Sequence, residues 1–116
     1  MFWSKKRKEE QELGTSFERL KYYTFVDYKT VDEQFLDLAD LLLSNRAVVA
    51  NFEGMHNLAE VNRAVAFLSG VCYALEGTVQ NIGNETFVFA TKKSLEDGTI
   101  EHYIKDVAKD SVNTDE

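Results

Sequence analysis

Between Leu58 and Leu75 the apolar residues Leu58, Val61, Val65, Leu68, Cys72 and Leu75 recur alternately three and four positions apart. That spacing predicts an amphipathic helix with one buried face. Asn57 with Glu60 reads as an N-cap and capping box, because side chains there satisfy amides that the first turn leaves free. Gly77 is expected to stop the helix in left-handed backbone, where a missing Cβ removes the clash. Gly70 lies inside the pattern and costs about 0.5–1 kcal/mol relative to alanine. Either the helix tolerates or breaks at that glycine, or another backbone approaches it closely.

The period changes along the rest of the chain. Lys21–Val26 (KYYTFV) is rich in aromatic and β-branched residues and predicts a strand. From Thr30 to Leu43 the period becomes helical, with Val31, Phe35, Leu38 and Leu42 on one face and Thr30 with Glu33 as a second capping box. Asp27 and Asp32 suit the positive end of that helix dipole. Ala47–Asn51 (AVVAN) reads as a short buried strand, so strand, helix and strand suggest a parallel right-handed crossover. Thr78–Ile82 and Thr86–Thr91, joined by Gly83 and Asn84, predict an antiparallel hairpin. Period two places Phe87 and Phe89 on one face of it and Val88 and Ala90 on the other. Residues 99–107 fit both a strand and a helix; Ile100, Ile104 and Val107 favour the helix, and from Asp110 the acidic chain is expected to be a disordered tail.

These elements predict an α/β (α+β) two-layer sandwich of order β-α-β-α-β-β, with a small mixed sheet and two helices. The domain spans residues 21–104, preceded by a linker at 13–20 and followed by an acidic tail at 105–116. Two helices cover one side of such a sheet, so its other face is expected to be open to a partner.

Composition narrows the function. The chain's 116 residues suffice for one core, and 44% hydrophobic content favours folding. The net charge of −7 argues against general nucleic-acid binding. With no apolar run long enough to span a bilayer and no signal-peptide pattern, a cytosolic protein is expected. Residues 1–12 differ in kind: Met1, Phe2 and Trp3 precede Lys5, Lys6, Arg7 and Lys8, followed by Glu9, Glu10 and Glu12. Aromatic residues beside a basic cluster suit an anionic membrane surface, each cation adding about 1 kcal/mol. The acidic residues weaken that attraction, and a solvated tail is the plainer alternative.

Signatures of catalysis are missing. Gly77, Gly83 and Gly98 stand apart and make no phosphate loop. Cys72 lies on the apolar helix face and reads as core filling. His56 reads as a loop residue with no second ligand nearby, and Ser69 lacks a nucleophile elbow. Neither a metal nor a cofactor is expected, and an enzyme built on His56 or His102 would need a pocket of perturbed titrating groups.

AVVAN at 47–51, FLSGVCYALEG at 67–77 and VQNIGNETFVFA at 79–90 together resemble the SepF family of bacterial cell-division proteins. The distinctive part is FLSG combined with Ile82, Gly83 and Phe87. The resemblance extends loosely back to about Lys21, and the family plan of amphipathic N-terminus, linker and α/β domain also fits. Departures are Ala66, where the family usually has an acidic residue, the absence of proline, and a shorter stretch ahead of the domain. A divergent or shortened member is the reading taken.

The resemblance implies a non-enzymatic adaptor that binds the C-terminal tail of the tubulin-like GTPase FtsZ, forms homodimers and polymers, and bundles filaments during septum formation. It implies a cytoplasmic protein held peripherally on the inner face of the cell membrane at the division site. Carried onto matching positions, Phe87 becomes the FtsZ-contact candidate and Gly70 the self-assembly candidate. Phe87 filling the core is the competing reading. Met1, Phe2, Trp3, Lys5, Lys6, Arg7 and Lys8 are the membrane-contact candidates. An alternative of another class is a small regulatory domain that binds a metabolite or peptide between sheet and helices.

Overall fold

In the computed structural model, which describes residues 14–114, the alternating and helical patterns separate as expected. Strands form at β1 (Lys21–Thr24), β2 (Val48–Asn51), β3 (Thr78–Gly83) and β4 (Thr86–Ala90). Helices form at α1 (Val31–Leu43), α2 (Leu58–Ala74), α3 (Lys92–Leu95) and α4 (Thr99–Thr114). The sheet runs β1-β2-β4-β3, with β1 parallel to β2 and the other pairs antiparallel. The β1-α1-β2 crossover and the β3-β4 hairpin are those that the sequence implies. The hairpin turns at Asn84 and Glu85, both left-handed, and Gly83 at φ 98° adjoins an irregularity in the β3–β4 register.

Both expected N-cap bonds form: Thr30 Oγ1 accepts the Glu33 amide and Asn57 Oδ1 accepts the Glu60 amide. The C-terminal ends follow one rule. After α1, Asn45 is left-handed at φ 61°, and the Asn45 and Arg46 amides return to Leu42 and Leu41. After α2, Glu76 is left-handed at φ 58°, and the Glu76 and Gly77 amides return to Tyr73 and Cys72. These are Schellman closures. Gly77 is therefore not the left-handed residue. A Cβ there would lie 2.0 Å from the Ala90 carbonyl oxygen and 2.8 Å from the Thr91 Cα, so glycine is required by contact with β4.

One face of the sheet presents Val48, Ala50, Phe87 and Phe89 to α1 and α2, with Phe25, Phe35, Leu38, Leu42, Phe52, Leu68 and Cys72 filling the core. Ala64 belongs to the buried face of α2, whereas Leu58 at its start is 67% exposed. Gln34 is buried in this layer and fully engaged. Its Oε1 accepts from the Tyr23 hydroxyl and the Val26 amide, and its Nε2 donates to the Val26, Lys29 and Thr30 carbonyls.

The opposite face is not open. Ala47, Val49, Val88 and Ala90 pack against Ile100 and Ile104 of α4, flanked by Leu20, Ile82, Leu95 and Tyr103. The physical reason is the four-residue step from Ile100 to Ile104, which gives an otherwise polar helix one apolar ridge. The helix continues to Thr114, past the point where the sequence suggests disorder. Residues 15–20, read as linker, form a turn held to the start of α4: the Ser16 amide donates to Asp97 Oδ2 at 2.8 Å and the Phe17 amide to Thr99 Oγ1 at 2.9 Å.

Candidate functional site

The outward face of α2 carries Ala59, Ala66, Phe67, Gly70, Tyr73 and Ala74, all exposed. A Cβ placed on Gly70 would meet nothing within 4 Å. The helix runs unbroken through it, so the break alternative falls away, and the residue faces solvent. Phe67 is 37% exposed while stacking on Phe35 at 4.3 Å, and the Arg63 guanidinium lies 5.6 Å over the same Phe35 ring. Small residues at Ala66, Gly70 and Ala74, with Tyr73 beside them, leave room for a second backbone. The sequence signal was a second stripe, spaced four apart from Ala66, lying beside the apolar seam.

Phe87 occupies an intermediate position. Its ring packs edge-on to Phe52 at 6.0 Å and tilts against Phe89 at 6.3 Å, yet it stays half-buried at the margin of the first core. It pairs with Ala50 on one side and Asn81 on the other, so it sits on a central strand of the sheet. The contacts of a core residue and an accessible edge coexist there.

The starts of α1 and α2 lie side by side around an open cleft of about 580 Å³, lined by Asp27, Thr30, Asp32, Met55, Asn57, Glu60 and Arg63 among others. Arg63 bridges Asp32 of α1 and Glu60 of its own helix. His56 Nδ1 meets Asp27 Oδ2 at 2.5 Å, joining the loops that leave β1 and β2. The hydrogen bond and then the charge of Asp27 raise the His56 pKa, and the same hydrogen bond, foremost, lowers that of Asp27. The stabilisation linked to His56 is present below its unfolded pKa of about 6.5 and is lost as pH rises through its raised folded value. The part linked to Asp27 is present above about 3.9 and is lost as pH falls through its lowered value. The pair thus acts between those two limits. Asp27→Asn is expected to return the His56 imidazole titration, followed by NMR, to the ordinary histidine range; an unmoved midpoint would refute the pairing.

Cys72 is no nucleophile. Burial pushes its thiol up to about 11, and its Sγ donates to the Thr78 and Ala90 carbonyls. Among the described residues no His, Cys, Asp and Glu cluster could hold a metal, and no helix is long and apolar enough to cross a membrane. The candidates Met1, Phe2, Trp3, Lys5, Lys6, Arg7 and Lys8 lie outside the described residues.

Taken together, the described residues define a small α/β domain with an exposed stripe along α2 and a half-buried Phe87 on the sheet. The sequence profile of the family described as "Cell division protein SepF" matches residues 28–94, from the β1–α1 loop to α3. The chain belongs to the SepF family. Among curated relatives of that description, the protein of Lactobacillus helveticus is 42% identical over 64 residues, covering 55% of this chain and 43% of the relative. That of Lactobacillus acidophilus is 41% identical over 64 residues, with the same two shares. One from Exiguobacterium is 39% identical over 71 residues, covering 60% of this chain and 44% of the relative. The chain therefore matches less than half the length of these relatives.

Proposed function

We propose that this chain is a non-enzymatic division adaptor that binds the C-terminal tail of FtsZ through the surface around Phe87. It self-associates through the Gly70 face of α2 and contacts anionic membrane through residues 1–12, so that filaments are tethered and bundled at the septum. The observation that carries this reading is the family match over residues 28–94, which includes both Phe87 and Gly70. The half-buried Phe87 ring supports it, because an aromatic anchor held by its neighbours on a sheet is a common hot spot. The place of action is the cytoplasmic face of the membrane at the division site.

The deciding experiment is a fluorescence-anisotropy titration with an FtsZ C-terminal peptide. Phe87→Ala is expected to weaken binding roughly tenfold or more, about 1.4 kcal/mol, with the fold retained by circular dichroism. Absence of binding by the unaltered chain at high micromolar peptide removes the proposal. Thermal stabilisation by small metabolites would instead favour a ligand-binding regulatory domain.

Gly70→Lys tests the self-association surface. The open space around Gly70 leaves the folded monomer unharmed, so melting should hold while light scattering shows the higher assemblies gone. Assemblies that persist in the lysine variant would place the contact elsewhere. Liposome flotation with and without residues 1–12 addresses the membrane contact, and equal partitioning would refute it.

A further inference from the structure

An apolar groove of about 490 Å³ lies where the chain enters the fold, lined by Thr15 and Phe17 on one side and Gly98, Thr99, His102 and Tyr103 on the other. Asp97 and Asp106 mark its polar limits, with Asp106 Oδ2 3.3 Å from His102 Nε2. Two aromatic rings line it, Phe17 standing 5.6 Å from Tyr103, and Tyr22, outside the lining, meets Tyr103 edge-on at 6.3 Å. Phe17 and Tyr22 nevertheless remain 45% and 57% exposed. Clustered exposed aromatics of this kind ask for a cover.

We infer that the groove is the resting site of the chain's own N-terminal segment, with Phe2 or Trp3 against Phe17 and Tyr103 and the Lys5–Lys8 cluster facing Asp97 and Asp106. Connectivity supports this first. Thr15 lines the groove, and the twelve residues back to Trp3 span at most roughly 40 Å, ample to fold back across a single helix. Tethering that short holds the segment at an effective concentration on the order of millimolar, so even a weak contact is populated. Charge is the second support. Four consecutive cations, Lys5, Lys6, Arg7 and Lys8, outnumber Glu9, Glu10 and Glu12 in the same segment, and the groove's described charged lining is two carboxylates and one histidine. Lys105 lines the opposite flank of α4 with Glu101, away from the groove. Chemistry is the third: an indole or phenyl ring gains by leaving water for an aromatic wall.

Docking of this kind would withhold the aromatic and basic residues from any other surface, a lipid membrane included. The contact itself does not rest on the proposed function, and its test requires neither lipid nor FtsZ.

Trp3 is the sole tryptophan of the chain, so its emission reports the N-terminal segment alone. In lipid-free buffer the full chain is expected to show blue-shifted emission and severalfold weaker acrylamide quenching than free indole, unchanged on dilution. Phe17→Ser and Asp106→Lys, both at exposed positions, should each shift emission to the red and restore quenching while circular dichroism stays constant. High salt should act in the same direction on the unaltered chain. An emission already characteristic of exposed indole overturns the inference, and so does shielding that neither substitution relieves. Greater liposome association of the two variants would add that docking and membrane contact compete. Liposome association that the variants leave unchanged, with Trp3 released, would leave the docking intact and deny it a regulatory role.

Discussion

Replacing Gly77 by alanine lowers the melting temperature of the domain by roughly 10–20 °C, equivalent to about 2–3 kcal/mol of overpacking. The added methyl would fall 2.0 Å from the Ala90 carbonyl oxygen and 2.8 Å from both the Ala90 carbonyl carbon and the Thr91 Cα. All three are backbone atoms, so no side chain can swing aside. The same junction is fastened twice more, by the Cys72 thiol donating to Ala90 and by the Lys92 amide donating to Leu75. The end of α2 therefore cannot lift off β4 without breaking those bonds. Gly70→Ala is the matched control: its methyl meets nothing within 4 Å, and removal of a mid-helix glycine should raise stability by about 0.5–1 kcal/mol. Thermal melts followed by circular dichroism read both. A Gly77→Ala protein that melts within a degree or two of the unaltered chain would disprove the contact argument.

Introducing aspartate at Ile100 is the second large effect. Ile100 is fully buried against Ala47, Val49, Val88 and Ala90, and nothing among those apolar neighbours could pair with a carboxylate. Loss of the side chain's burial and placement of an unpaired charge together cost about 3–5 kcal/mol, unless α4 leaves the sheet. Either way the urea midpoint falls and apolar sheet surface is exposed, which a hydrophobic dye detects. Ile100→Val, which removes one methylene, should cost only about 1 kcal/mol. An unchanged urea midpoint in the aspartate variant would mean that the helix is no part of the cooperative fold.

These two positions show where the sequence speaks and where it falls silent. Helical periodicity locates α1 and α2, because the first core is built from strongly apolar stripes such as Val31, Phe35, Leu38 and Leu42, while residue type and the Gly83–Asn84 turn locate the strands. The N-caps at Thr30 and Asn57 were equally plain, being local chemistry. The closing helix was obscured because its apolar ridge rests on few residues in an acidic stretch, and Thr99–Ile104 satisfies both periods. The helical pattern over 99–107 does not say where that helix packs, so the second sheet face looked open. Gly77 stood out as a glycine, but its reason lies in Ala90 and Thr91, which only the hairpin brings back to it. Gln34 shares the Val31–Leu38 face, and a buried amide there looks like any polar helix position until its partners at Val26, Lys29 and Thr30 are folded around it.

At the candidate sites the division is similar. Phe87 was named from a resemblance, and its half-buried margin emerges only with Phe52 and Phe89 in place. That Gly70 faces solvent follows from helix rotation, which a buried face extending to Ala64 fixes. The Asp27–His56 pair had no sequence signal, since parallel pairing of β1 and β2 alone brings their loops together.

The bonds from Ser16 to Asp97 and from Phe17 to Thr99 have a mechanical meaning. A pull on the chain ahead of Gly14 reaches that corner before it reaches the edge strand β1. Load is then shared with the last helix instead of peeling one strand from the sheet. An anchor line attached there would haul on the domain as a whole.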